Sequence, residues 1–345
     1  MPEDSIDHID FKDLNRKAIS QPLVSHMYTA DPSAHVFNNK IYIYPSHDID
    51  AGEAFDDLGS HFAMEDYHVL SMDTIDSKAK DHGVALHVDD VPWAKCQMWA
   101  PDANEKDGTY YLYFPAKDYD DIFRIGVATS KSPVGPFIAQ PKPIKGSFSI
   151  DPAVFKDDDG NYYMYFGGIW GGQLQRWRTG KFNPDQPESP TAFLPEDNEP
   201  ALLPFVAKLT DDLLEFSEKP KPIEILDENG NLLLAGDNDR RFFEAAWLHK
   251  YNEKYYFSYS TGDTHFICYA VGDNPYGPFT YGGRILNPVV GWTSHHSICE
   301  VEGKWYLFYH DSSLSNGVTH LRSVKVAEIT YREDGSIETL DPYRL

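Results

Sequence analysis

Two aspartates and a glutamate, Asp31, Asp151 and Glu244, stand at the same place in three copies of one repeated pattern. Each copy ends in an aromatic-rich run: Ile41-Tyr42-Ile43-Tyr44, Tyr110-Tyr111-Leu112-Tyr113, Tyr162-Tyr163-Met164-Tyr165, Tyr255-Tyr256-Phe257 and Trp305-Tyr306-Leu307-Phe308. A polar turn such as Asn38-Asn39-Lys40 or Lys106-Asp107-Gly108 precedes each run. About eleven or twelve residues before the second residue of each run lie Asp31, Trp99, Asp151, Glu244 and His295. A radial arrangement of the five units brings these side chains to one point. Burying three carboxyl groups together is costly unless their charge is used.

The local sequence separates their roles. Glu244 lies in Phe242-Phe243-Glu244-Ala245-Ala246-Trp247, and apolar surroundings raise a carboxyl pKa. Asp31, in Ala30-Asp31-Pro32-Ser33, and Asp151, in Ile150-Asp151-Pro152-Ala153, each precede a proline, which biases them towards extended backbone. A carboxyl that keeps its proton near neutral pH serves as a general acid, and one that stays ionised as a general base. Hydrolysis of a glycosidic bond needs such a pair across the scissile bond. Glu244 is assigned as the acid and Asp31 as the base. Asp151 is a third charge that keeps the Glu244 pKa high and helps orient it. Taken singly, an aspartate before proline is a turn residue and a lone glutamate a strand-edge residue; the alignment of all three favours chemistry.

The elements that must position these groups are strands. Alternating and β-branched residues flanked by Gly, Asn and Asp mark hairpins, the first running from Ala34–Phe37 into Ile41–Tyr44. Further strands follow, as in Ile125–Ser130 and Ile267–Gly272, and a shared motif comes after each: Ser132-Pro133-Val134-Gly135-Pro136-Phe137 and Asn274-Pro275-Tyr276-Gly277-Pro278-Phe279. Five units of three or four strands predict an all-β fold, a five-bladed β-propeller, as a single domain over residues 1–345. Residues 1–25 read as a polar N-terminal extension, with a short helix candidate at Phe11 to Lys17. Residues 176–241, rich in proline and acid, read as an insertion holding the outer strands of blade three plus surface loops. That stretch has too few apolar residues for a core of its own.

Composition limits the partners. The 345 residues carry a net charge of −24, which repels phosphate backbones and anionic membranes and suits a neutral ligand such as sugar. No nucleic-acid or membrane partner is expected. The three cysteines, Cys96, Cys268 and Cys299, form no CxxC pair and read as buried structural thiols. The opening Met1-Pro2-Glu3-Asp4 lacks the basic and apolar regions of a signal peptide, so a cytoplasmic location is expected.

The chain resembles glycoside hydrolase family 43 from about Tyr28 to Val326. The motifs Ala30-Asp31-Pro32-Ser33, Ile150-Asp151-Pro152-Ala153-Val154-Phe155 and Phe243-Glu244-Ala245-Ala246 match the family's base, pKa-modulating and acid motifs in order. The resemblance implies a five-bladed propeller and an inverting mechanism, in which water activated by Asp31 attacks the anomeric carbon while Glu244 protonates the leaving oxygen. His295, in Thr293-Ser294-His295-His296-Ser297, resembles the family's channel histidine. That match implies a hydrated structural calcium or a water cluster at the channel centre, and no other cofactor. The spacing to Tyr306 selects His295 over His296. An uncharged histidine holding one hydrogen bond is the alternative, since calcium takes oxygen ligands. Arg322 matches a family arginine that reaches sugar hydroxyls. Trp99 offers an aromatic face to a pentose ring, with a core role as the alternative. Trp170, between Gly167-Gly168 and Gly171-Gly172, is a candidate pocket wall.

These residues point to an exo-acting glycosidase that removes terminal arabinofuranose or xylose from hemicellulose oligosaccharides. The expected end of the chain after blade five omits the β-sandwich that family xylosidases often carry, which leaves arabinofuranosidase and β-xylosidase as equal readings. An endo-acting arabinanase needs an open groove, and a non-catalytic carbohydrate-binding propeller needs no acid and base. A phosphorylase needs a basic phosphate pocket, and no such cluster lies near the aligned positions.

Overall fold

The aromatic runs are the second strands of five antiparallel sheets. In a computed structural model, which describes residues 8–53, 56–186 and 189–344, the short helix α1 (Phe11–Lys17) precedes them. Blade one contains β1 (Tyr28–Phe37), β2 (Lys40–Asp48), β3 (Asp66–Met72) and β4 (Lys80–His87). Blade two contains β5 (Ala94–Cys96), β6 (Asp102–Lys106), β7 (Thr109–Asp118), β8 (Phe123–Ser130) and β9 (Ile138–Ala139). Blade three contains β10 (Ala153–Lys156), β11 (Tyr162–Phe166), β12 (Phe205–Lys208) and β13 (Lys221–Pro222). Blade four contains β14 (Ile225–Leu226), β15 (Glu244–Tyr251), β16 (Lys254–Ser260), β17 (Ile267–Gly272) and β18 (Phe279–Leu286). Blade five contains β19 (His296–Val301), β20 (Lys304–Asp311) and β21 (Ser323–Ile329). The innermost strands form a closed ring, β1 touching β6, β6 touching β10, β10 touching β15, β15 touching β19, and β19 touching β1. The fold is a five-bladed β-propeller.

The aromatic signature has a packing cause. The second strand of a blade is buried on both faces, so both alternating sets of side chains must be apolar. In β7, Leu112 and Phe114 pack towards blade one, while Tyr111 and Tyr113 pack towards blade three. In β11, Met164 and Phe166 face blade two, and Tyr163 and Tyr165 face blade four. The core is therefore a set of wedges between neighbouring blades. The repeated Pro-x-Gly-Pro-Phe motif serves these wedges: Tyr44 donates its hydroxyl to the Pro133 carbonyl at 2.6 Å, and Tyr165 donates to the Pro275 carbonyl at 2.6 Å.

Residues 176–241 supply β12 and β13 to blade three and also β14, which pairs in parallel with β18 of blade four. The chain leading into β1 lies along the start of β21: the Leu23 N–H donates to the Val324 carbonyl at 2.8 Å, and the N–H of Thr29, in β1, to the Arg322 carbonyl at 2.9 Å. This segment seals the seam where blade five meets blade one, with Val24, Ile43, Leu70, Phe308 and Val324 in a shared apolar wedge. Cys268 and Cys299 are buried free thiols, but Cys96 is only half-buried, on the three-residue β5 that pairs with the end of β7. We predict that Phe308→Ala, which empties this fully buried wedge, lowers stability by about 3–5 kcal/mol. Urea denaturation checks this; an unchanged midpoint would show that the seam does not limit the fold.

Candidate active site

All three carboxylates sit where the ladder is irregular. The β1–β2 register shifts between Ala30 and Ser33, and the β15–β16 register shifts between Glu244 and Trp247. Asp151 lies just before β10. Such bulges re-aim side chains. The expectation of extended backbone before proline fails here. Asp31 has φ 49°, Asp151 φ 57°, and Ala245, beside Glu244, φ 63°. A left-handed residue costs of order 1–3 kcal/mol and persists where surrounding contacts hold it. Those contacts are identifiable at both aspartates.

Asp31 is 5% exposed. Its Oδ2 accepts from the Ser46 hydroxyl at 2.7 Å, and its Oδ1 accepts from Arg322 Nη1 at 2.9 Å. Its backbone N–H donates to His310 Nδ1 at 3.0 Å. Burial alone would raise the Asp31 pKa, but the charge of Arg322, with the Ser46 hydrogen bond, outweighs it and holds the carboxyl at about 2. Asp151 accepts from the Ala245 N–H through Oδ2 at 2.8 Å, which ties it to the backbone next to Glu244. Burial, then the charges of Glu244 and Asp31, push Asp151 well above the ordinary aspartate range.

Glu244 is half-buried at the pocket wall, and no hydrogen bond contributes to its titration. Burial raises its pKa first and the charge of Asp31 second, with Arg322 opposing, to about 8. One pocket thus holds a carboxyl kept protonated and a carboxylate kept ionised. Elements from all five blades enclose it. Trp99, Ile150, Ile169, Trp170, Phe243 and Trp292 form its apolar lining, and residues of the β2–β3 loop, including Gly59, Phe62 and Met64, complete the wall.

The other sequence-selected residues also reach this pocket, with altered roles for some. Trp99 donates its indole N–H to the Phe62 carbonyl at 2.8 Å and presents its ring to the cavity. Trp170 packs at a tilt in an aromatic corner with Phe243 and Trp292, ring centroids 5.4 and 5.3 Å away. Arg322 lines the pocket but is heavily engaged. Its Nε and Nη2 donate to the two oxygens of Asp48 at 2.8 and 2.7 Å, and its Nη1 donates to Asp31 and to Thr293 Oγ1. One of its five donors is left without a protein partner.

His295 accepts the His296 N–H at Nδ1, at 2.8 Å, and its buried Nε2 has no hydrogen-bond partner among the described residues. That bond places the imidazole proton on Nε2, 3.6 Å from Asp151 Oδ2. In this tautomer Nε2 donates and does not ligate, so the residue suits a water cluster, or the water shell of a hydrated ion, and not direct calcium coordination.

Sequence reasoning missed Ser46, Asp48, His310, Thr293 and Trp292. The first three lie near the far ends of the second strands, across the hairpin from the aligned positions: Ala30 pairs with Ser46, and His296 with Tyr309. Reading each hairpin through to its partner strand would have found them. We predict that Arg322→Met, which leaves Asp31 and Asp48 buried without a counter-charge, costs about 3–5 kcal/mol of stability. Adding Asp48→Asn to that variant should recover part of the loss. Thermal melts of the single and double variants measure this, and additive losses would show that Arg322 and Asp48 do not act as a pair.

The model of glycosyl hydrolases family 43 matches residues 19–188. A xylosidase/arabinosidase from Bacteroides ovatus is 60% identical over 92% of this chain and 97% of its own length. Xylosidase/arabinosidase 43A from Humicola insolens is 62% identical over 93% of this chain and 99% of its own. Among solved structures, a β-xylosidase/α-arabinofuranosidase of the same family from a compost microbial metagenome, complexed with xylotriose in a calcium-free form, superposes with a TM-score of 0.92 at 65% identity, covering 96% of this chain and 99% of its own.

Proposed function

The chain belongs to glycosyl hydrolases family 43 and is a glycosidase of the xylosidase/arabinosidase type, and we propose that it acts by inversion on the non-reducing terminal pentose of hemicellulose oligosaccharides. One observation carries the reading: a carboxyl protonated up to about 8 and a carboxylate held ionised near 2 face the same cavity. Glu244, free of hydrogen bonds that would claim its proton, protonates the glycosidic oxygen as the bond breaks. Asp31 has both oxygens occupied, by Ser46 and Arg322, which disfavours it as a covalent nucleophile and suits it to orienting and deprotonating water. Water then attacks the face opposite the leaving group. Asp151 fixes the backbone beside the acid, and the repulsion between the two carboxyls keeps a proton on the pair.

Exo action is supported by the enclosure of the pocket by all five blades, which admits a chain end more readily than a chain middle. The apolar aromatic lining suits the face of a pentose ring. The xylotriose complex of the structural relative makes β-linked xylose the first sugar to test and α-L-arabinofuranose the second.

Glu244→Gln should lower turnover of xylobiose by about 10²–10⁴-fold, and 4-nitrophenyl β-xyloside less, because that leaving group needs little protonation. Near-normal xylobiose turnover in the variant would overturn the acid assignment. In the unaltered enzyme kcat/KM should fall as pH rises through about 8, where Glu244 releases its proton, and the variant should lack this alkaline limb. Proton NMR of the first product reports the stereochemistry; a retained anomeric configuration would refute inversion.

A further inference from the structure

The loop that joins β2 to β3 carries a second cluster of ionisable groups at its base. His47 is one residue from the end of β2, Asp66 opens β3, and His68 follows two residues later on the same face of that strand. The atoms these three offer a metal all lie within 4.8 Å of one another. His47 Nδ1 is 2.5 Å from Asp66 Oδ1. His68 Nε2 lies 3.9 Å from Asp66 Oδ2, beyond hydrogen-bonding distance.

The His68 ring is oriented from its other nitrogen. Its Nδ1 is 2.8 Å from Asp81 Oδ1, and Asp81 is itself held by the Gly83 N–H at 2.8 Å and by His26 Nε2 at 2.9 Å. A carboxylate on Nδ1 keeps the proton there and leaves the Nε2 lone pair directed away, the support found behind metal-ligating histidines. The side chains of His47, Asp66 and His68 retain 20%, 14% and 14% exposure, enough for an ion to reach them from solvent.

We propose that His47, Asp66 and His68 bind a divalent first-row transition ion of the zinc class, with Asp81 as the carboxylate that fixes the His68 ring. Two imidazoles and one carboxylate suit such an ion; calcium and magnesium take oxygen donors. Three protein ligands leave one tetrahedral position for water. The ion takes the place of the proton between His47 and Asp66, which is released to solvent. Its position gives it a consequence: the ligands flank residues 49–65, which bring Gly59, His61, Phe62 and Met64 to the pocket wall, so a bound ion clamps both ends of that wall.

The test is titration of chelator-stripped protein with Zn²⁺, followed by calorimetry and thermal melts, with Co²⁺ as an absorbing probe of ligand geometry. One bound equivalent and a raised Tm are expected. His68→Gln should abolish that equivalent, Asp81→Asn should weaken it about 10–100-fold, and His295→Gln should leave it intact. Circular dichroism of the metal-free variants checks folding, and Asp81→Asn decides the matter if His68→Gln does not fold. No binding by the unaltered protein, unchanged binding in His68→Gln or Asp81→Asn, or loss of the equivalent in His295→Gln would each overturn the proposal.

Discussion

A single guanidinium shared by two buried aspartates holds both the ring and its chemistry. Arg322 is 2% exposed, Asp48 3% and Asp31 5%, so three charges sit where water cannot screen them. Removing ions of this kind from water costs several kcal/mol each, and only close, multiply hydrogen-bonded geometry repays it. The bidentate fork to Asp48 provides that geometry. Burial still lifts the Asp48 pKa despite the fork, which shows how strongly the site disfavours isolated charge. Arg322 lies just before β21 of blade five, while Asp31 and Asp48 belong to β1 and β2 of blade one. The contact that closes the wheel is therefore the one that sets the charge of Asp31.

Glu244 is governed by the opposite principle. Glu244 faces no cation as closely as Asp31 does, and it shares its surroundings with two other carboxyls. Asp31 must remain ionised because of Arg322, so the remaining proton resides on the Glu244–Asp151 pair. Asymmetry of counter-charge thus separates two carboxyl pKa values within one cavity. His310 contributes without supplying a charge of its own. Its pKa is pushed down to about 3, chiefly by burial, so it is neutral, and its Nδ1 accepts the Asp31 backbone N–H. That bond holds the left-handed turn that points Asp31 inward.

Much of this was legible in the sequence because the propeller repeats its solution. A strand buried on both faces must be apolar throughout, and Tyr, Phe and Leu in uninterrupted runs are the trace of that burial. Once the runs are aligned, the positions before them follow, and Asp31, Asp151, Glu244, Trp99 and His295 do share one cavity. What escaped has a physical reason in each case. The left-handed backbone at Asp31 and Asp151 is enforced by a register shift and by partners far away in sequence, which override the local preference set by proline. Asp48 carries no local sign that a guanidinium 274 residues away will meet it. Residues 176–241 were read as serving blade three, but the parallel pairing of β14 with β18 is a non-local contact, and it gives part of that stretch to blade four.

The division of labour between strands has a consequence for how such a site can change. The pocket carboxyls stand near the starts of innermost strands, while Ser46, Asp48 and His310 stand at the ends of second strands and Arg322 just before the third strand of blade five. Both sets are fixed by inter-blade wedges and ladder hydrogen bonds. The rest of the pocket wall, by contrast, comes from the β2–β3 loop, the glycine-flanked Trp170 and Trp292, all on connections between strands. A Cβ at Gly171 would come 2.4 Å from the Leu58 carbonyl oxygen, so these connections pack against one another and cannot vary independently. Substrate preference can therefore shift through concerted changes in two loops while the proton chemistry stays constant. The same rigidity gives the base of the β2–β3 loop its leverage, since any constraint on its two ends is transmitted through Gly59 and Phe62 to the Trp99 ring they touch.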